Sequence, residues 1–266
     1  MPNDETRYIN KVFMAGALPL MKVIATDDPL INKLYTLLRI NAVYQVSAKT
    51  GGKGKEAVHF IVEDGVWEVH QGVYTGRKRI SGELAFSSME KMNAFMKGDF
   101  SQLPFFKIRS LPKFALFMMV LLKMSSVLTA TEIPEDEKTQ LLTIKCFFYL
   151  LSTGISALNK MGNPKVAEWV KKSPDRCYQF EVIGYPDLAA YIHVGNGQSK
   201  AGKGLYPRSD PFFTMAFDCP VSALMILMGK GDMFKMTANR QLIMKGGPEF
   251  GVQLSEYMFY IQELAM

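Results

Sequence analysis

Cysteine is scarce in this chain of 266 residues, and the placement of its three cysteines excludes two kinds of site. Cys146, Cys177 and Cys219 lie far apart and form no Cys-x-x-Cys pair, so neither a structural zinc site nor a disulfide framework is indicated. A reducing compartment is therefore expected, and we predict no metal and no other cofactor.

Histidine is equally scarce, and the three histidines lack the neighbours that nucleophilic catalysis needs. His59 and His193 fall in predicted strands and His70 falls near a strand end, and none lies beside a serine or cysteine in a Gly-x-Ser-x-Gly elbow. We therefore predict a protein without catalytic residues, and an acyl-thioester hydrolase is kept as an alternative.

A signal peptide and long membrane-spanning runs are missing as well. The start Met-Pro-Asn-Asp-Glu-Thr-Arg has neither the basic residues nor the apolar core of a signal peptide, so a cytoplasmic location is expected. The apolar run 114–122 is shorter than the roughly 20 residues that a bilayer needs, and the run 141–158 contains Lys145. Both runs are predicted to be buried or interfacial helices.

Basic residues exceed acidic ones, giving a formal net charge of +6 and a pI near 9.0. This surplus is compatible with an anionic partner or with an inert basic surface. The loop 49–55 lacks the Gly-Lys-[Ser/Thr] ending of a phosphate-binding loop and is predicted to be a flexible hairpin loop. The run 76–80 does not alternate basic with aromatic residues, so we predict a solvated turn or strand edge and expect no nucleic-acid partner.

The chain does contain an internal repeat. Residues 57–65 match residues 189–197 in their alternation and in their Gly-centred turn. Lys97-Gly98-Asp99 likewise matches Lys230-Gly231-Asp232, and each follows a Met-rich apolar helix that the motif is predicted to end. The offset of about 130 residues exceeds the repeat length of solenoid proteins, so each copy is predicted to be a domain.

Strand and helix signals support this interpretation. Asp64-Gly65 is a strong hairpin signal between alternating segments. Ser87 with Glu90 forms a predicted capping box ahead of a helix. Two helices are predicted to bury leucine-rich faces, the first with Leu30, Leu34, Leu37 and Leu38 and the second with Val221, Leu224, Leu227 and Met228.

The division between the copies is predicted from a polar segment and a long helix. Residues 134–138 are a polar linker, and the helix after them shows 3-4 apolar spacing from Leu141 to Leu158. This helix could pack between the copies, lead the second copy, or pair with a partner chain. We predict a first domain with N-terminal helices at 1–130, a linker and connecting helix at 131–162, and a second domain at 163–266.

Each copy resembles the sterol carrier protein type 2 family of lipid-binding domains in the order of its motifs. The motifs are Glu63-Asp-Gly65, Phe86 and Lys97-Gly98-Asp99 in the first copy, and Asn196-Gly197, Phe217, Gly229-Lys-Gly-Asp232 and Leu242-Ile-Met-Lys-Gly246 in the second. The resemblance implies an α+β fold of two tandem sterol-carrier-like domains, each a mostly antiparallel five-stranded sheet covered by helices on one face. It also implies an apolar tunnel between the layers that binds a fatty acid, acyl-CoA, sterol or similar lipid without catalysis.

The candidate ligand-binding residues are apolar side chains of the strands and helices that would enclose this tunnel. They are Phe86, Met92, Phe95, Met96, Phe114, Phe117 and Met118 in the first copy, and Met215, Phe217, Leu224, Met225, Met228, Phe250, Leu254 and Met258 in the second. The candidate contacts to an anionic headgroup or to a transiently bound membrane surface are Lys53, Lys55, Arg77, Lys78 and Arg79. The alternative is an interaction or scaffold module of a lipid-metabolising complex, with tunnels filled by side chains.

Overall fold

The computed structural model describes residues 2–52 and 54–265, and the chain is a mixed α+β protein with two five-stranded sheets, each packed against helices. This is the fold class that the sequence predicted. The chain divides into two compact units, the first ending at Ser126 and the second running from Val127 to Leu264. Each unit is described below by itself.

The first unit begins with helices and continues into a meander of strands. Its elements are α1 Asp4–Val12, a π-helical turn Phe13–Ala17, α2 Leu20–Asp27, α3 Pro29–Leu37, β1 Ala42–Lys49, β2 Lys55–Glu63, β3 Val66–Gln71, β4 Gly82–Phe86, α4 Met89–Met96, β5 Phe105–Ile108 and α5 Leu111–Leu128.

The second unit repeats this order, except that one long helix replaces α1, the π-helical turn and α2, and that a 3-10 turn and a short helix before the last strand are added. Its elements are α6 Glu137–Lys160, α7 Pro164–Lys172, β6 Arg176–Val182, a 3-10 turn Pro186–Leu188, β7 Ala190–Gly195, β8 Gln198–Lys203, β9 Phe213–Phe217, α8 Pro220–Leu227, α9 Met233–Ala238, β10 Leu242–Lys245 and α10 Pro248–Ala265.

The two sheets have the same strand order. The first is β3-β2-β1-β4-β5 and the second, read from its other edge, is β8-β7-β6-β9-β10. In each sheet the central strand pairs in parallel with one neighbour, β1 with β4 in the first sheet and β6 with β9 in the second. Tyr44 lies opposite Gly82 in the first of these pairs, and Tyr178 lies opposite Phe213 in the second. Tyr44 and Tyr178 therefore occupy equivalent positions, as do Gly82 and Phe213.

The leading helices are also equivalent. The helical segment Asp4–Asp27 and α6 each span 24 residues. Each is followed by a nine-residue helix that begins with proline after a side-chain cap, from Asp28 before α3 and from Asn163 before α7. By element order α6 is the leading helix of the second copy, while the predicted boundaries at residues 130 and 162 stay a prediction.

Local chemistry explains the hairpin turns. Asp64 and Gly65 both have positive φ, at 47° and 84°, and Asn196 and Gly197 repeat this at 51° and 74°. Two successive left-handed residues form the type I′ turn, whose twist matches that of the strands it joins, and Asp-Gly and Asn-Gly are the pairs that tolerate it best. The predicted hairpins are therefore formed in both copies.

At one position in the interior of each unit, an aromatic ring packs against a glycine, and the two residues have changed places between strand and helix. At Gly82 of β4 an added Cβ would lie 2.5 Å from the ring of Phe114, the fourth residue of α5. In the second unit the strand carries the ring, Phe213, and the fourth residue of α10 is Gly251, where an added Cβ would lie 3.1 Å from that ring. The same space is filled from the helix in one unit and from the strand in the other.

The predicted leucine face of α3 is wrong. Leu30, Leu37 and Leu38 are 65%, 70% and 59% exposed, and the buried residues of the helix are Ile31 and Tyr35. The Tyr35 ring packs edge-on against Trp67 with centroids 5.2 Å apart. A large aromatic side chain gains more from burial than a leucine, so Tyr35 determines which face turns inward.

Two details of the later helices also differ from prediction. The N-cap of α4 is Ser88 and not Ser87. The Ser88 Oγ accepts a hydrogen bond from the backbone N–H of Lys91 at 3.3 Å. Val221 is 43% exposed, although Leu224 and Leu227 of the same helix are buried as predicted.

The matched Lys-Gly-Asp motifs end their helices differently. Gly98, at φ 95°, follows α4, whereas the left-handed glycine after α8 is Gly229 at φ 67° rather than Gly231. Asp232 instead begins α9, with its Oδ1 accepting from Phe234 N at 2.9 Å. The sequence match is therefore shifted by two residues from the structural one, and α9 was not predicted.

Three helical segments of the described chain are long and apolar enough to cross a membrane when judged by length and composition alone. They are Asp4–Asp27, Leu111–Leu128 and Glu137–Lys160, with 67%, 33% and 83% of their most apolar windows buried in the protein. The burial of α6 agrees with packing inside the second unit, whereas α5 leaves most of its apolar window uncovered.

Candidate functional site

The predicted ligand-binding side chains of the first unit lie in its interior and pack on one another. Phe86 and Phe95 have ring centroids 5.3 Å apart, and Phe114 lies 6.4 Å from Phe117. Phe117 stacks on Tyr44 of β1 at 4.6 Å. Those buried are Phe86, Met92, Phe95, Phe114 and Phe117, and those half-buried are Met96 and Met118.

The second unit brings its predicted residues together in the same way. Phe217 of β9 lies 6.2 Å from Phe148 of α6, which also stacks on Phe180 at 5.6 Å. Phe250 of α10 lies 6.5 Å from Tyr178. Those buried are Met215, Phe217, Leu224, Leu254 and Met258, and those half-buried are Met225, Met228 and Phe250.

Two cavities of the described chain open elsewhere, one in each unit. Neither is lined by the apolar side chains above, so the role of those residues in ligand binding stays a prediction. Both cavities border the beginning of the first strand of their sheet, at Ala42 in one and at Arg176 in the other. These two positions are equivalent, because each lies two residues before the matched tyrosines.

The cavity of the first unit, here called the first groove, has a volume of about 530 Å³ and carries four cationic side chains. They come from two distant stretches, the loop before β4 and the stretch from the end of β5 into the first turn of α5. The main chain fixes this junction, since Arg109 N and Ser110 N both donate to Ser81 O, at 3.0 and 3.3 Å. The lining residues are Asn41, Ala42, Val43, Lys78, Arg79, Ser81, Arg109, Ser110 and Lys113.

The four cations of the first groove differ in how they are neutralised. Lys78 forms an ion pair with Glu63, and this hydrogen bond raises the pKa of the exposed Lys78 ammonium. Lys113 Nζ donates to Asn41 O at 2.7 Å. Within residues 2–52 and 54–265 the guanidinium groups of Arg79 and Arg109 have no hydrogen-bond or ion-pair partner. The groove therefore presents two uncompensated positive charges to solvent.

Only part of the predicted headgroup set lies in the first groove. Lys78 and Arg79 line it, Arg77 is exposed outside the lining, and Lys53 lies outside the described residues. Lys55 Nζ lies 3.1 Å from Glu83 Oε1 instead. Sequence reasoning missed Arg109 and Lys113, because only the fold brings them beside residues 78 and 79.

Glu83 is a buried carboxylate with a structural role. Its side chain is 5% exposed and lies 2.8 Å from Lys107 Nζ. Burial opposes its ionisation, but hydrogen bonds from Lys107, Ser47, Gln45 and Lys55 outweigh that effect and lower its pKa to about 2. These four donors, which come from β1, β2 and β5, tie those strands to Glu83 of β4.

The cavity of the second unit, here called the second groove, has a volume of about 340 Å³ and combines basic with aromatic side chains. The Arg176 guanidinium lies 3.9 Å from the centre of the Phe212 ring and 5.1 Å from that of Phe250. Lys172 pairs with Glu168 at 3.0 Å. The lining residues are Lys165, Glu168, Trp169, Lys172, Ser173, Pro174, Arg176, Tyr178, Gln253 and Tyr257.

One grouping of side chains bears on the hydrolase alternative. Cys177 of β6 lies opposite His193 of β7, and His193 Nε2 is 2.6 Å from Asp175 Oδ1. Burial, however, raises the pKa of the Cys177 thiol to about 12. A thiol in that state is protonated at neutral pH and is a poor nucleophile.

Metal binding finds no support in the part of the chain that the structure describes. There, no group of three or more His, Cys, Asp and Glu side chains is placed to hold a metal ion. Of the remaining histidines, His59 Nδ1 contacts Gly72 O at 2.8 Å and its ring stacks on His70 at 5.2 Å.

Comparison with known proteins finds similar solved structures but no family. No protein-family model matches the chain, and no curated protein matches it significantly. The chain is similar to a structure named "UbiJ-SCP2 Ubiquinone synthesis protein", at 17% identity and a TM-score of 0.28, over 44% of this chain and 96% of that chain. It is also similar to a conserved hypothetical protein of Thermus thermophilus described as a candidate sterol carrier protein, at 16% identity and a TM-score of 0.30, over 43% of this chain and 85% of that chain.

Each match covers less than half of this chain, so neither demonstrates two copies of the matched fold. The two-copy description rests on the repeated strand order and register. A likeness at this level of identity and TM-score carries no information about what the chain binds.

Proposed function

We propose that the chain binds a hydrophobic ligand without catalysis, and that in the first unit the ligand is a lipid with an anionic headgroup. The observation that supports this is the position of two consecutive residues of α5. Lys113 lines the basic first groove, while the next residue, Phe114, lies in the apolar layer against Gly82 of β4. A headgroup in the groove would therefore be adjacent to the apolar layer between α5 and the sheet, which a lipid tail would enter.

The physical chemistry of the two parts is complementary. Arg79 and Arg109 have no ion-pair partner in the described chain, and each cation near an anionic lipid surface contributes on the order of 1 kcal/mol. Each buried methylene of a lipid tail contributes about 0.8 kcal/mol. The half-buried Met96 and Met118 are unbranched and can repack around a tail of variable shape.

A titration with two lipids of equal chain length tests this proposal. Oleate and oleyl alcohol share the same tail, and only oleate carries a charge at neutral pH. We expect the double variant Arg79→Gln/Arg109→Gln to bind oleate about thirtyfold more weakly and to bind oleyl alcohol as the unmodified protein does. Displacement of a fluorescent fatty acid would measure both affinities.

The matched control replaces two exposed arginines of the second unit that line neither groove. Arg208→Gln/Arg240→Gln changes the net charge equally and is expected to leave both affinities unchanged. Failure of the unmodified protein to bind either lipid, or equal losses for both lipids in the Arg79/Arg109 variant, would contradict the proposal.

A second candidate function is supported by the packing of the interior. The predicted tunnel-lining residues are mostly buried against one another, as in an interaction or scaffold module whose interior is filled by its own side chains. Such a module would bind a protein partner and take up no lipid. The two candidates are separated by whether any lipid enters either unit.

A further inference from the structure

The second groove contains a buried hydroxyl without a hydrogen-bond partner, whereas the equivalent hydroxyl of the first unit is paired. The Tyr44 hydroxyl donates a hydrogen bond to Lys113 O at 2.9 Å. The equivalent Tyr178 is 1% exposed, lines the second groove, and has no hydrogen-bond partner for its hydroxyl in the described chain. A buried hydrogen-bond donor without a partner lowers the stability of the fold. An acceptor atom on a bound ligand would pair with this hydroxyl and remove that cost.

The charges around this hydroxyl favour an anionic acceptor. Burial raises the pKa of Tyr178, and the neighbouring Arg176 acts against that effect. The phenol is therefore protonated at neutral pH and can donate its proton to an oxygen of the ligand. Lys165, Lys172 and Arg176 line the groove against one carboxylate, Glu168, which already pairs with Lys172.

The walls of the groove suit a flat apolar body. The Trp169 and Tyr257 rings have centroids 4.7 Å apart at an interplanar angle of 35°, and Trp169 meets Tyr178 edge-on at 5.4 Å. Burial also raises the pKa of Tyr257 to about 12, so this second phenol is uncharged too. Aromatic walls of this kind favour ring-shaped ligands through offset and edge-on contacts.

We propose that the second groove binds a carboxylate or phosphate group carried on a ring-shaped body, with Tyr178 and Arg176 as the donors to the oxyanion. Trp169 and Tyr257 form the surface against which the ring packs. The proposal does not depend on lipid binding by the first unit, since it concerns different residues and a different ligand chemistry. A soluble ring acid and a lipid headgroup both provide an oxyanion, and the experiment separates them.

Tryptophan fluorescence of the full chain provides the test. The chain has two tryptophans, of which Trp169 lines the groove and Trp67 is buried in the first unit. Benzoate, phenyl phosphate and vesicles of dioleoylphosphatidylglycerol would be titrated separately. We expect saturable quenching by benzoate or phenyl phosphate, which Trp169→Phe abolishes and Tyr178→Phe weakens on the order of tenfold.

Matched variants keep the test specific. Arg176→Gln is expected to weaken binding at least as much as Tyr178→Phe, whereas Tyr44→Phe removes the equivalent hydroxyl of the first unit and is expected to leave binding unchanged. A vesicle response that shares these dependences, without saturation by either ring acid, would show that the oxyanion belongs to a lipid headgroup and that no ring is needed, which would overturn the proposal. No saturation by either ring acid below about 10 mM, or binding by Tyr178→Phe within about twofold of the unmodified protein, would overturn the proposal.

Discussion

Glu83 is the residue whose chemistry the structure defines most completely. Its carboxylate accepts hydrogen bonds from Gln45, Ser47, Lys55 and Lys107 at distances of 2.7 to 3.1 Å. The second unit has a related arrangement on a neighbouring strand, where Glu181 accepts from Lys245 at 2.8 Å. Each sheet therefore has one carboxylate that ties a lysine of its last strand to its central strands.

The stability of the first unit should depend on the ionisation of Glu83. Because its pKa is lowered from 4.5 to about 2 in the folded chain, the stabilisation is present above pH 4.5 and is lost as the pH falls towards 2. We predict that Glu83→Gln lowers the free energy of unfolding at pH 7. The difference in this free energy between Glu83→Gln and the unmodified protein should become smaller as the pH falls from 4.5 to about 2. Urea unfolding at a series of pH values measures both free energies.

The exposed Glu68 of the same sheet provides the control. Glu68→Gln removes an exposed carboxylate and is expected to change the free energy of unfolding at pH 7 by less than about 0.5 kcal/mol. A difference between Glu83→Gln and the unmodified protein that stays constant from pH 7 down to pH 2 would show that ionised Glu83 does not stabilise the fold.

Among secondary-structure elements, β4 and α5 pack so closely that no side-chain atom can be added at Gly82 without a shift. A Cβ at Gly82 would lie 2.5 Å from Phe114, so one of the two must move. We predict that Gly82→Ala destabilises the first unit by about 1–3 kcal/mol, the usual cost of overpacking, and that adding Phe114→Leu recovers part of the loss. Thermal or urea unfolding would show both effects.

Gly52 supplies a matched glycine in an open loop, since an added Cβ there meets nothing within 4 Å. Gly52→Ala is expected to change the free energy of unfolding by less than about 0.5 kcal/mol. If Gly82→Ala is as stable as Gly52→Ala, the close contact between β4 and α5 is not present in solution.

Elements with strong local signals could be predicted from the sequence. The Asp64-Gly65 and Asn196-Gly197 turns followed from residue types that tolerate positive φ, and the apolar helices followed from their spacing. The inner face of α3 could not be predicted, because leucine spacing there competes with Tyr35, whose partner Trp67 is distant in sequence. The short helix α9 could not be predicted, because Lys230-Gly231-Asp232 has the pattern of a helix end, whereas Asp232 caps the start of the next helix.

The grooves could not be predicted, because they are assembled from distant residues. Arg79 and Arg109 are separated in sequence by two strands and a helix, and nothing local marks them as neighbours. The unpaired hydroxyl of Tyr178 is likewise recognisable only by comparison with Tyr44 in the folded chain. The sequence named Arg77, Lys78 and Arg79 as candidate contacts to an anionic headgroup, and Lys78 and Arg79 line the first groove, while contact with an anion stays a prediction.

At the scale of the whole molecule, one topology is used twice with different grooves. The first groove is cationic and adjoins an apolar layer, and the second combines cations with aromatic walls and an unpaired phenol. Duplicated units that keep their sheets and differ at one end are suited to binding different ligands, which is how we interpret the pair.

Native mass spectrometry of the intact protein as purified, followed by organic extraction, tests the central claim of lipid binding most directly. The account predicts a species heavier than the bare chain that releases a fatty acid, acyl-CoA or similar lipid on extraction, with less of it in Arg79→Gln/Arg109→Gln. A bare-chain mass, together with no uptake of added fatty acid, would contradict the account and leave the interaction module as the better description.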